Sequence, residues 1–369
     1  MPKVSKKQKT TAKKKAKKIA KPVKKTKAKK VPKTLKLLKY PYNPIIKPRP
    51  YAWESKATLN PAAFIADGKI HLIYRAIGES DVSVLGYASS LDGYKLSERP
   101  THSIYHRYGK FVRSGLPLNY TSGGGWNGGC EDPRVTLLDN MLYMLYTAFD
   151  GWGSLRIALT SIGLEDFKQK KWNWDKPVLI SPPGEIHKNW VMFPEKINGK
   201  FAILHSLSPK ILIDYVDNLS EFDGTKFIKS YYHGTPAWDN GWEGTVRGVG
   251  PTPIKTELGW LILYHAIAKD DPGKYKLGAM ILNSKQPTEI LYHSKGPILE
   301  PDEHYENEGF KSGVVYSCGA VVKDGKLLVY YGGADSVVCV ASIKLLTLLN
   351  DLVKNKAVKL EKNELLKVE

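Results

Sequence analysis

The chain has 369 residues, a length that permits two ordinary domains or one large all-β domain. Its formal net charge is +20, but residues 1–39 carry 18 lysines and no acidic residue, which leaves 38 basic against 36 acidic residues in the remainder. The basic character therefore belongs to an N-terminal tail and not to the chain as a whole.

The number and spacing of the cysteines argue against disulfide bonds and against a zinc site. Cys130, Cys318 and Cys339 are odd in number and form no C-x-x-C pair, so neither a disulfide framework nor a thiolate zinc site is expected, and ligand spacing suggests no other metal site. No run of about 18 apolar residues is present, and the N-terminus lacks the apolar segment of a secretory signal. We therefore expect no membrane-spanning helix, no export and a cytoplasmic location.

Residues 1–36 form a tail rich in lysine, alanine and proline, typified by the run KKKAKK at 13–18. Such a segment repels itself and has little to bury, so disorder is its expected state. Two functions remain equally open. The tail contacts nucleic acid or another polyanion non-specifically through counterion release, or it is a solvated extension with no dedicated partner. Its lack of aromatic residues disfavours sequence-specific binding of nucleic acid.

Five related segments follow the tail, each an apolar strand, a short polar turn and a second apolar strand. Turn pairs such as Asp-Gly and Asn-Gly favour positive φ. The segments are AAFIADGKIHLIYRA, RVTLLDNMLYMLYTA, PEKINGKFAILHS, TPIKTELGWLILYHA and GAVVKDGKLLVYYGG. Their turn residues, separated by 72, 59, 60 and 66 positions, are Gly68, Asn140, Gly199, Gly259 and Gly325.

A further strand-like run follows each hairpin: VLGYASS, LRIALTS, KILIDYV, YKLGAMIL and VVCVASI. Five units of three or four strands, with no sustained helical period among them, predict an all-β fold, a five-bladed β-propeller over residues 37–350. Residues 343–367 carry a leucine stripe that predicts a closing helix packed on the core, and residues 351–369 form a C-terminal helical extension.

Polar residues recur at matched places in these repeats. Asn60 and Asp132 each stand eight positions before their turn residue, and Arg75 stands seven beyond the first. Matched places in successive blades of a propeller converge on one central axis. The register therefore predicts that a site is assembled there from residues that are distant in sequence.

The segment GGCEDPR at 128–134 is the densest candidate for chemistry. Pro133 is expected to hold Asp132 extended, and the glycines before it let the backbone come close to a ligand. Taken alone, the motif fits an aspartate that caps a turn and pairs with Arg134 better than it fits a general acid.

Seven motifs together carry a family resemblance. In chain order they are Asn60-Pro61, Tyr74-Arg75, Glu131-Asp132-Pro133-Arg134, Phe193-Pro194-Glu195-Lys196, Gly250-Pro251-Thr252-Pro253-Ile254, GWLILYH at 259–265 and Tyr331-Gly332-Gly333-Ala334-Asp335. They resemble glycoside hydrolase family 130, the β-mannoside phosphorylases and related mannosidases, over about residues 40–349. The resemblance implies a five-bladed propeller that transfers a terminal β-mannosyl unit to inorganic phosphate with inversion, releasing mannose 1-phosphate without another cofactor.

The resemblance also implies roles for individual residues. Asp132 is expected to be the catalytic acid and to act through a hydroxyl of the mannose. The expected sugar-binding residues, with Arg134 supporting the acid, are Asn60, Arg75, Asp335 and Arg134. The expected phosphate-binding residues are Lys188, Asn189, His265 and Tyr275. Taken singly, Lys188 fits a solvated surface lysine, and His265 fits a core histidine.

Two positions depart from the family pattern. Lys188 stands where arginine is usual, which keeps the charge but loses the bidentate fork. Ser206 stands after His205, where a second basic residue is usual, and loss of a basic residue is a feature of the hydrolytic members. Arg247 is a candidate to restore this charge as a phosphate ligand, or it is an ordinary surface arginine.

Three hypotheses follow. The first is a β-mannoside phosphorylase, and the second is an inverting β-mannosidase in which Glu243 or Glu195 activates water. The third is a glycan-binding propeller without catalysis. The linkage, β-1,2 or β-1,4, the acceptor sugar and the oligomeric state stay open.

Overall fold

The computed structural model describes residues 35–106, 128–150, 155–230 and 241–355. The predicted tail lies almost wholly outside these ranges, and the predicted C-terminal extension is described only as far as residue 355. Among the described residues, no helix is long and apolar enough to cross a membrane.

Four of the five predicted hairpins are present as antiparallel strand pairs. In the third, the first strand lies at Val191–Met192, ahead of the predicted segment, and the predicted turn is closed by an isolated bridge between Ile197 and Lys200. Their turns contain residues with positive φ, such as Gly68 at 70° and Asn140 at 60°, as the turn chemistry predicts. The paired strands are β2 (Ala57–Ala66) with β3 (Lys69–Ile77), β6 (Gly129–Leu138) with β7 (Met141–Phe149), β10 (Val191–Met192) with β11 (Phe201–Ser206), β14 (Ile254–Thr256) with β15 (Gly259–Ile267), and β18 (Val315–Lys323) with β19 (Lys326–Gly333).

A third strand follows each hairpin and pairs with its second strand, so the chain is all-β as predicted. The third strands are β4 (Ser83–Ser90), β8 (Leu155–Gly163), β12 (Leu212–Val216), β16 (Tyr275–Leu282) and β20 (Val337–Lys344). The remaining strands are β1 (Leu38–Lys39), β5 (Leu96–Glu98), β9 (Val178–Leu179), β13 (Thr245–Val249) and β17 (Ile290–His293). Hydrogen bonding joins β2–β9 in one eight-stranded sheet, in which a single parallel pair, Ser83 with Gly129, links β2–β5 to β6–β9, and it places the other strands in three further sheets. No closed sheet is found among the described residues. The repeats are named unit 1 (β2–β5), unit 2 (β6–β9), unit 3 (β10–β12), unit 4 (β13–β17) and unit 5 (β18–β20 with β1).

The hydrophobic core lies between the units. Five large clusters of buried apolar side chains each join two successive units, and one of these clusters joins unit 5 to unit 1. Residues from successive units that share a cluster include Ala62 and Val135, Leu145 and Ile203, Val191 and Ile262, Leu261 and Leu327, and Ile70 and Val340. Because neighbours cover both faces of a unit's sheet, middle strands such as β3 and β19 are apolar along most of their length.

The described residues form few helices, and only the longest of them contributes substantially to the hydrophobic core. The short helices are α1 (Leu164–Lys168) and α2 (His304–Asn307), and the longer α3 (Leu345–Lys354) lies where the leucine stripe predicts a helix. In α3 the side chains of Leu348, Leu349 and Leu352 are buried in the cluster between units 4 and 5, so the stripe serves core packing. The three cysteines are buried and form no disulfide bond with one another.

Candidate active site

β-Bulges in three strands present several of the candidate residues. In β2, β6 and β13 the pairing register shifts, so that the bulged strand has one more residue than its partner. The residues in these bulges are Asn60-Pro61, Asp132-Pro133 and Arg247. A bulge disrupts the ladder locally and changes the direction of a side chain. Asn60, Asp132 and Arg247 all line one pocket.

Four polar residues of this pocket have left-handed backbones. Asn60, Asp132, Asn189 and Asp335 have φ values between 46° and 67°. Asn and Asp tolerate this region better than other residues with a Cβ, although it still costs about 1–3 kcal/mol at each position. The prediction that Pro133 holds Asp132 extended is therefore wrong, because the bulge imposes a left-handed backbone on the residue before the proline.

The carboxylate of Asp132 is held by two residues of unit 1. Its Oδ1 accepts hydrogen bonds from Asn60 Nδ2 at 2.7 Å and from Arg75 Nη1 at 3.2 Å. Arg75, itself 2% exposed, also donates to Glu131 Oε1 at 2.8 Å and to Ser83 Oγ at 2.9 Å. Such charge-assisted bonds fix the position of the carboxylate.

The charges around Asp132 decide its protonation. Burial opposes ionisation, but the positive charges of Arg75, Lys188 and Arg134 and the hydrogen bond from Asn60 outweigh it and lower the pKa of Asp132. The group is therefore a carboxylate near neutral pH in the free protein. A general acid needs a proton, so a bound ligand would have to raise this pKa.

Lys188 is a buried residue of the pocket wall and not a surface lysine. It is 7% exposed, and its Nζ lies 3.6 Å from Oε2 of the fully buried Glu131. Glu131 thereby holds both Arg75 and Lys188, so it organises two cations at the pocket while remaining off the lining.

Arg134 lies behind the pocket lining and links two of the lining residues, Asp132 and Asn189. Its Nη1 donates to the main-chain oxygen of Asp132 at 2.9 Å, its Nη2 donates to Asn189 Oδ1 at 2.9 Å, and its Nε donates to Gly250 O at 3.0 Å. The hydroxyl of Tyr316 also donates to Asn189 Oδ1. Arg134 thus positions the backbone of Asp132 and the amide of Asn189.

His265 forms a layer behind the pocket wall. Its ring stacks on Tyr316 with centroids 4.2 Å apart and an interplanar angle of 3°, and its Nε2 accepts from the Ser317 N–H at 2.9 Å. Burial, followed by the charge of Arg134, lowers the pKa of His265 to about 3, so the ring is neutral. The side chain is fully buried and off the lining, and its direct contact with phosphate stays a prediction.

Two cations flank Tyr275 on the other side of the pocket. Arg247 Cζ lies 5.7 Å and Lys311 Nζ 4.5 Å from the centroid of the Tyr275 ring. Asn189 Nδ2 donates to the Arg247 carbonyl at 2.6 Å. All four residues line the pocket, so two cations, an amide and a phenol meet there.

Asp335 is the second carboxyl group of the pocket lining. Burial raises its pKa to about 6, while Lys311 and Arg75 oppose the rise and the charge of Asp132 adds to it. The two carboxyl groups are therefore driven in opposite directions, a pattern typical of paired groups with different roles in acid and base chemistry.

The pocket gathers eight of the ten residues singled out from the sequence, and Arg134 and His265 lie directly behind its wall. The pocket is an open cleft with about 430 Å³ of empty space, a volume that includes the part open to solvent. Its lining residues are Asn60, Arg75, Asp132, Lys188, Asn189, Arg247, Tyr275, Lys311, Val314, Tyr316 and Asp335. Four of them are cationic and two are carboxylic acids, a balance that favours an anionic ligand. In the described ranges, no cluster of His, Cys, Asp and Glu could hold a metal ion.

The two glutamates considered as water-activating bases lie elsewhere. Glu243 is fully buried, accepts a hydrogen bond from the Tyr264 hydroxyl, and lies 2.8 Å from His293 Nε2. Glu195 is on the surface and lies 2.9 Å from Lys255 Nζ. Neither glutamate lines the pocket, so neither is placed to activate water there.

Sequence reasoning missed Lys311 and Tyr316. Tyr316 stands nine positions before its turn residue, as Glu131 does in unit 2. This register match marks Tyr316 as a residue close to the site, although Glu131 itself does not line the pocket. Lys311 lies in a segment between strands, with no counterpart in the repeats. Ser206, by contrast, is buried away from the lining, and its Oγ donates to the Ser208 carbonyl at 3.0 Å.

The chain is similar to known mannoside phosphorylases. A glycoside hydrolase family 130 model, described as beta-1,4-mannooligosaccharide phosphorylase, matches residues 24–354. A 1,2-beta-oligomannan phosphorylase of Thermoanaerobacter sp. (strain X514) is 37% identical over 323 residues, which cover 84% of this chain and 98% of that protein. A beta-1,2-mannobiose phosphorylase of the same strain is 35% identical, with 84% and 97% covered.

A solved structure has the same fold. The beta-1,2-mannobiose phosphorylase of Listeria innocua, in complex with β-1,2-mannobiose, aligns with a TM-score of 0.63 over 86% of this chain and 99% of that chain. The two sequences are 24% identical across the alignment.

Proposed function

Because the chain belongs to glycoside hydrolase family 130 and is a glycosidase-type enzyme, we propose that it is an inverting β-mannoside phosphorylase. It would transfer the terminal β-mannosyl unit of a manno-oligosaccharide to inorganic phosphate, giving mannose 1-phosphate and a shortened acceptor. Phosphate would be a co-substrate, with no further cofactor. Family membership also removes the basis for a glycan-binding protein without catalysis.

The charge balance of the pocket carries this proposal. Arg75, Lys188, Arg247 and Lys311 line a space that holds only two carboxyl groups. Cations stabilise a phosphate dianion as it attacks, whereas an inverting hydrolase needs a second carboxylate that activates water. The glutamates considered for that task lie outside the pocket.

Asp132 is proposed as the catalytic acid. Asn60 and Arg75 hold its Oδ1, and no described side chain hydrogen-bonds its Oδ2, which would therefore be directed to the sugar. A phosphate dianion bound at Lys188 would offset one of the charges that lower the pKa of Asp132. Binding of both substrates would thus let Asp132 take up the proton that it gives, through a mannose hydroxyl, to the glycosidic oxygen.

The remaining residues divide between the two substrates. Asn60, Arg75 and Asp335 would bind the mannosyl unit, with Arg134 fixing the acid from behind. The proposed phosphate site, in which His265 supports the wall, is Lys188, Asn189, Arg247, Tyr275 and His265. Phosphate would attack the anomeric carbon on the face opposite the departing oxygen, which inverts its configuration.

A β-1,2-linked mannobiose or short oligomannan is the proposed substrate. The two relatives at 37% and 35% identity are named for β-1,2-linked substrates, whereas the family model is described by a β-1,4 activity. Comparing turnover of β-1,2- and β-1,4-mannobiose at equal phosphate concentration tests this choice, and a higher kcat/KM for the β-1,4 substrate would contradict it.

The five units are proposed to be the blades of a five-bladed propeller. Each unit packs on the next, and unit 5 packs on unit 1 through a shared apolar cluster. The N-terminal strand β1 adds to the edge of unit 5, with Leu38 opposite Ser342. This arrangement agrees with a ring in which the inner bulges of β2, β6 and β13 face a common pocket.

The deciding experiment varies phosphate. Purified enzyme is incubated with β-1,2-mannobiose with and without phosphate, and the products are separated by anion-exchange chromatography. Turnover that requires phosphate and yields mannose 1-phosphate supports the proposal. Equal release of free mannose in both reactions, without mannose 1-phosphate, overturns it.

Hydrolysis is the second candidate, and Ser206 is the observation that favours it. The basic residue expected after His205 in a phosphorylase is absent, and the Ser206 side chain does not reach the pocket. A hydrolase would turn over without phosphate, and Asp335 would then be the one other carboxyl group lining the pocket. If the Asp335→Asn variant still hydrolysed the mannoside, the hydrolase hypothesis would have no carboxylate in the pocket lining to activate water.

A further inference from the structure

Lys311 is a pocket-lining cation whose backbone is fixed by its neighbours. Its N–H donates to the Ala334 carbonyl at 3.0 Å, and the Phe310 N–H donates to Ser336 Oγ at 3.0 Å. Gly309 lies so close to the same turn that an added Cβ would come 2.4 Å from Ser336 Oγ. Residues 309–311 are therefore docked on the turn between β19 and β20, which fixes the direction from which Lys311 enters the pocket.

The lysine converges with a second cation on one aromatic ring. Lys311 Nζ is 4.5 Å and Arg247 Cζ 5.7 Å from the Tyr275 centroid, and all three residues line the pocket. Two cations directed at one ring repel each other, and an anion bound beside them removes that repulsion. Ammonium, guanidinium and phenol groups are all donors to phosphate oxygens.

We propose that Lys311 is a phosphate ligand, which holds the dianion together with Arg247 at the Tyr275 face of the pocket. This inference rests on the proposed phosphorylase function and adds a residue that no motif assigns to the site.

An alternative role for Lys311 is to position Asp335 for binding of the mannosyl unit. Lys311 is the charge that most strongly counteracts the burial of Asp335, so it also lies near the proposed mannose side of the pocket. If Lys311 only positioned Asp335, its loss would weaken binding of the mannosyl group and leave binding of phosphate alone unchanged. Binding and kinetic constants for the two substrates distinguish the roles.

The test removes the positive charge of Lys311 while nearly keeping the length of the side chain. Lys311→Met is expected to raise the KM for phosphate about 10- to 100-fold, the effect of losing one hydrogen bond to a charged group. In the reverse reaction it should raise the KM for mannose 1-phosphate and change the KM for the acceptor sugar less than roughly twofold. Lys311→Arg should recover most of the affinity for phosphate, because it restores the charge.

Two controls keep the result interpretable. Lys326→Met removes one exposed lysine at the start of β19 and should leave every constant unchanged. The rise in melting temperature caused by phosphate alone should be smaller in Lys311→Met than in the wild type, whether or not the variant is active. An unchanged KM and an unchanged thermal shift overturn the inference. If wild-type turnover proves independent of phosphate, the proposed function itself fails.

Discussion

Asn60 Nδ2 donates a hydrogen bond to Asp132 Oδ1 at 2.7 Å, which links residues 72 positions apart in sequence. Both residues lie in bulges at matched places of their units, and both have left-handed backbones. The third participant is Gly332 of unit 5, where an added Cβ would come 2.3 Å from Asn60 Oδ1. Three units thus meet at the carboxylate proposed as the acid.

Gly332→Ala tests this close approach. The new methyl group would displace the Asn60 amide and with it the carboxylate of Asp132, so kcat/KM for the mannoside should fall about 100-fold, the scale of a displacement of about 1 Å. Gly163→Ala is the matched control, since an added Cβ there meets nothing within 4 Å. Wild-type kinetics in Gly332→Ala would show that the contact does not position the acid.

Asp132→Asn should remove acid catalysis while preserving the hydrogen bond from Asn60 through the amide oxygen. We expect kcat on mannobiose to fall about 10²- to 10⁴-fold. The loss should be much smaller on 4-nitrophenyl β-mannoside, whose leaving group needs no proton. Asp324→Asn, at an exposed hairpin turn, controls for the substitution itself. Equal losses on the two substrates would speak against an acid role.

Asp335→Asn should change stability in a manner that depends on pH. The folded pKa of Asp335, about 6, lies above the reference value of 3.8, so its contribution is present below pH 4 and is lost as pH rises through 6. The asparagine variant lacks this loss, so its free energy of unfolding should rise relative to that of the wild type by about 2 kcal/mol between pH 4 and 7. Part of the full effect, about 1.4 kcal/mol per pKa unit, is already lost at pH 4. Urea unfolding at both pH values measures the difference. A constant difference would contradict the assignment.

Glu243→Gln should lower stability without lowering turnover. The carboxylate is buried against Tyr264 and His293, and weakening these bonds should cost about 1–3 kcal/mol in the free energy of unfolding. Since Glu243 does not reach the pocket, kcat for phosphorolysis should remain at the wild-type value, as it should in the surface variant Glu195→Gln. Loss of turnover in a folded Glu243→Gln protein would instead indicate a catalytic base.

The hairpins were predictable from the sequence because their signals are local. Alternating or continuous apolar runs and turn residues such as Gly68 act within about ten residues, and the repeat shows them five times. The matched positions of Asn60 and Asp132 in their repeats predicted that the two residues lie at one site. The hydrogen bond between their side chains confirms this prediction. Comparing positions in the repeats in the same way also places Tyr316 close to the site.

Other parts of the site depend on tertiary packing. The backbone of Asp132 is left-handed because a bulge overrides the extended preference of a residue before proline. Lys311 reaches the pocket from a segment outside the repeats, and Glu243 is removed from it by contacts with Tyr264 and His293. Arg247 is presented by the β13 bulge, which its sequence context does not indicate.

The identity of the first product distinguishes phosphorolysis from hydrolysis. In the presence of phosphate and β-1,2-mannobiose, ¹H and ³¹P NMR during the first turnovers should show α-mannose 1-phosphate, formed with inversion and in equal amount to free mannose released from the acceptor side. Appearance of two equivalents of free mannose without a sugar phosphate would show that the enzyme is a hydrolase and not a phosphorylase.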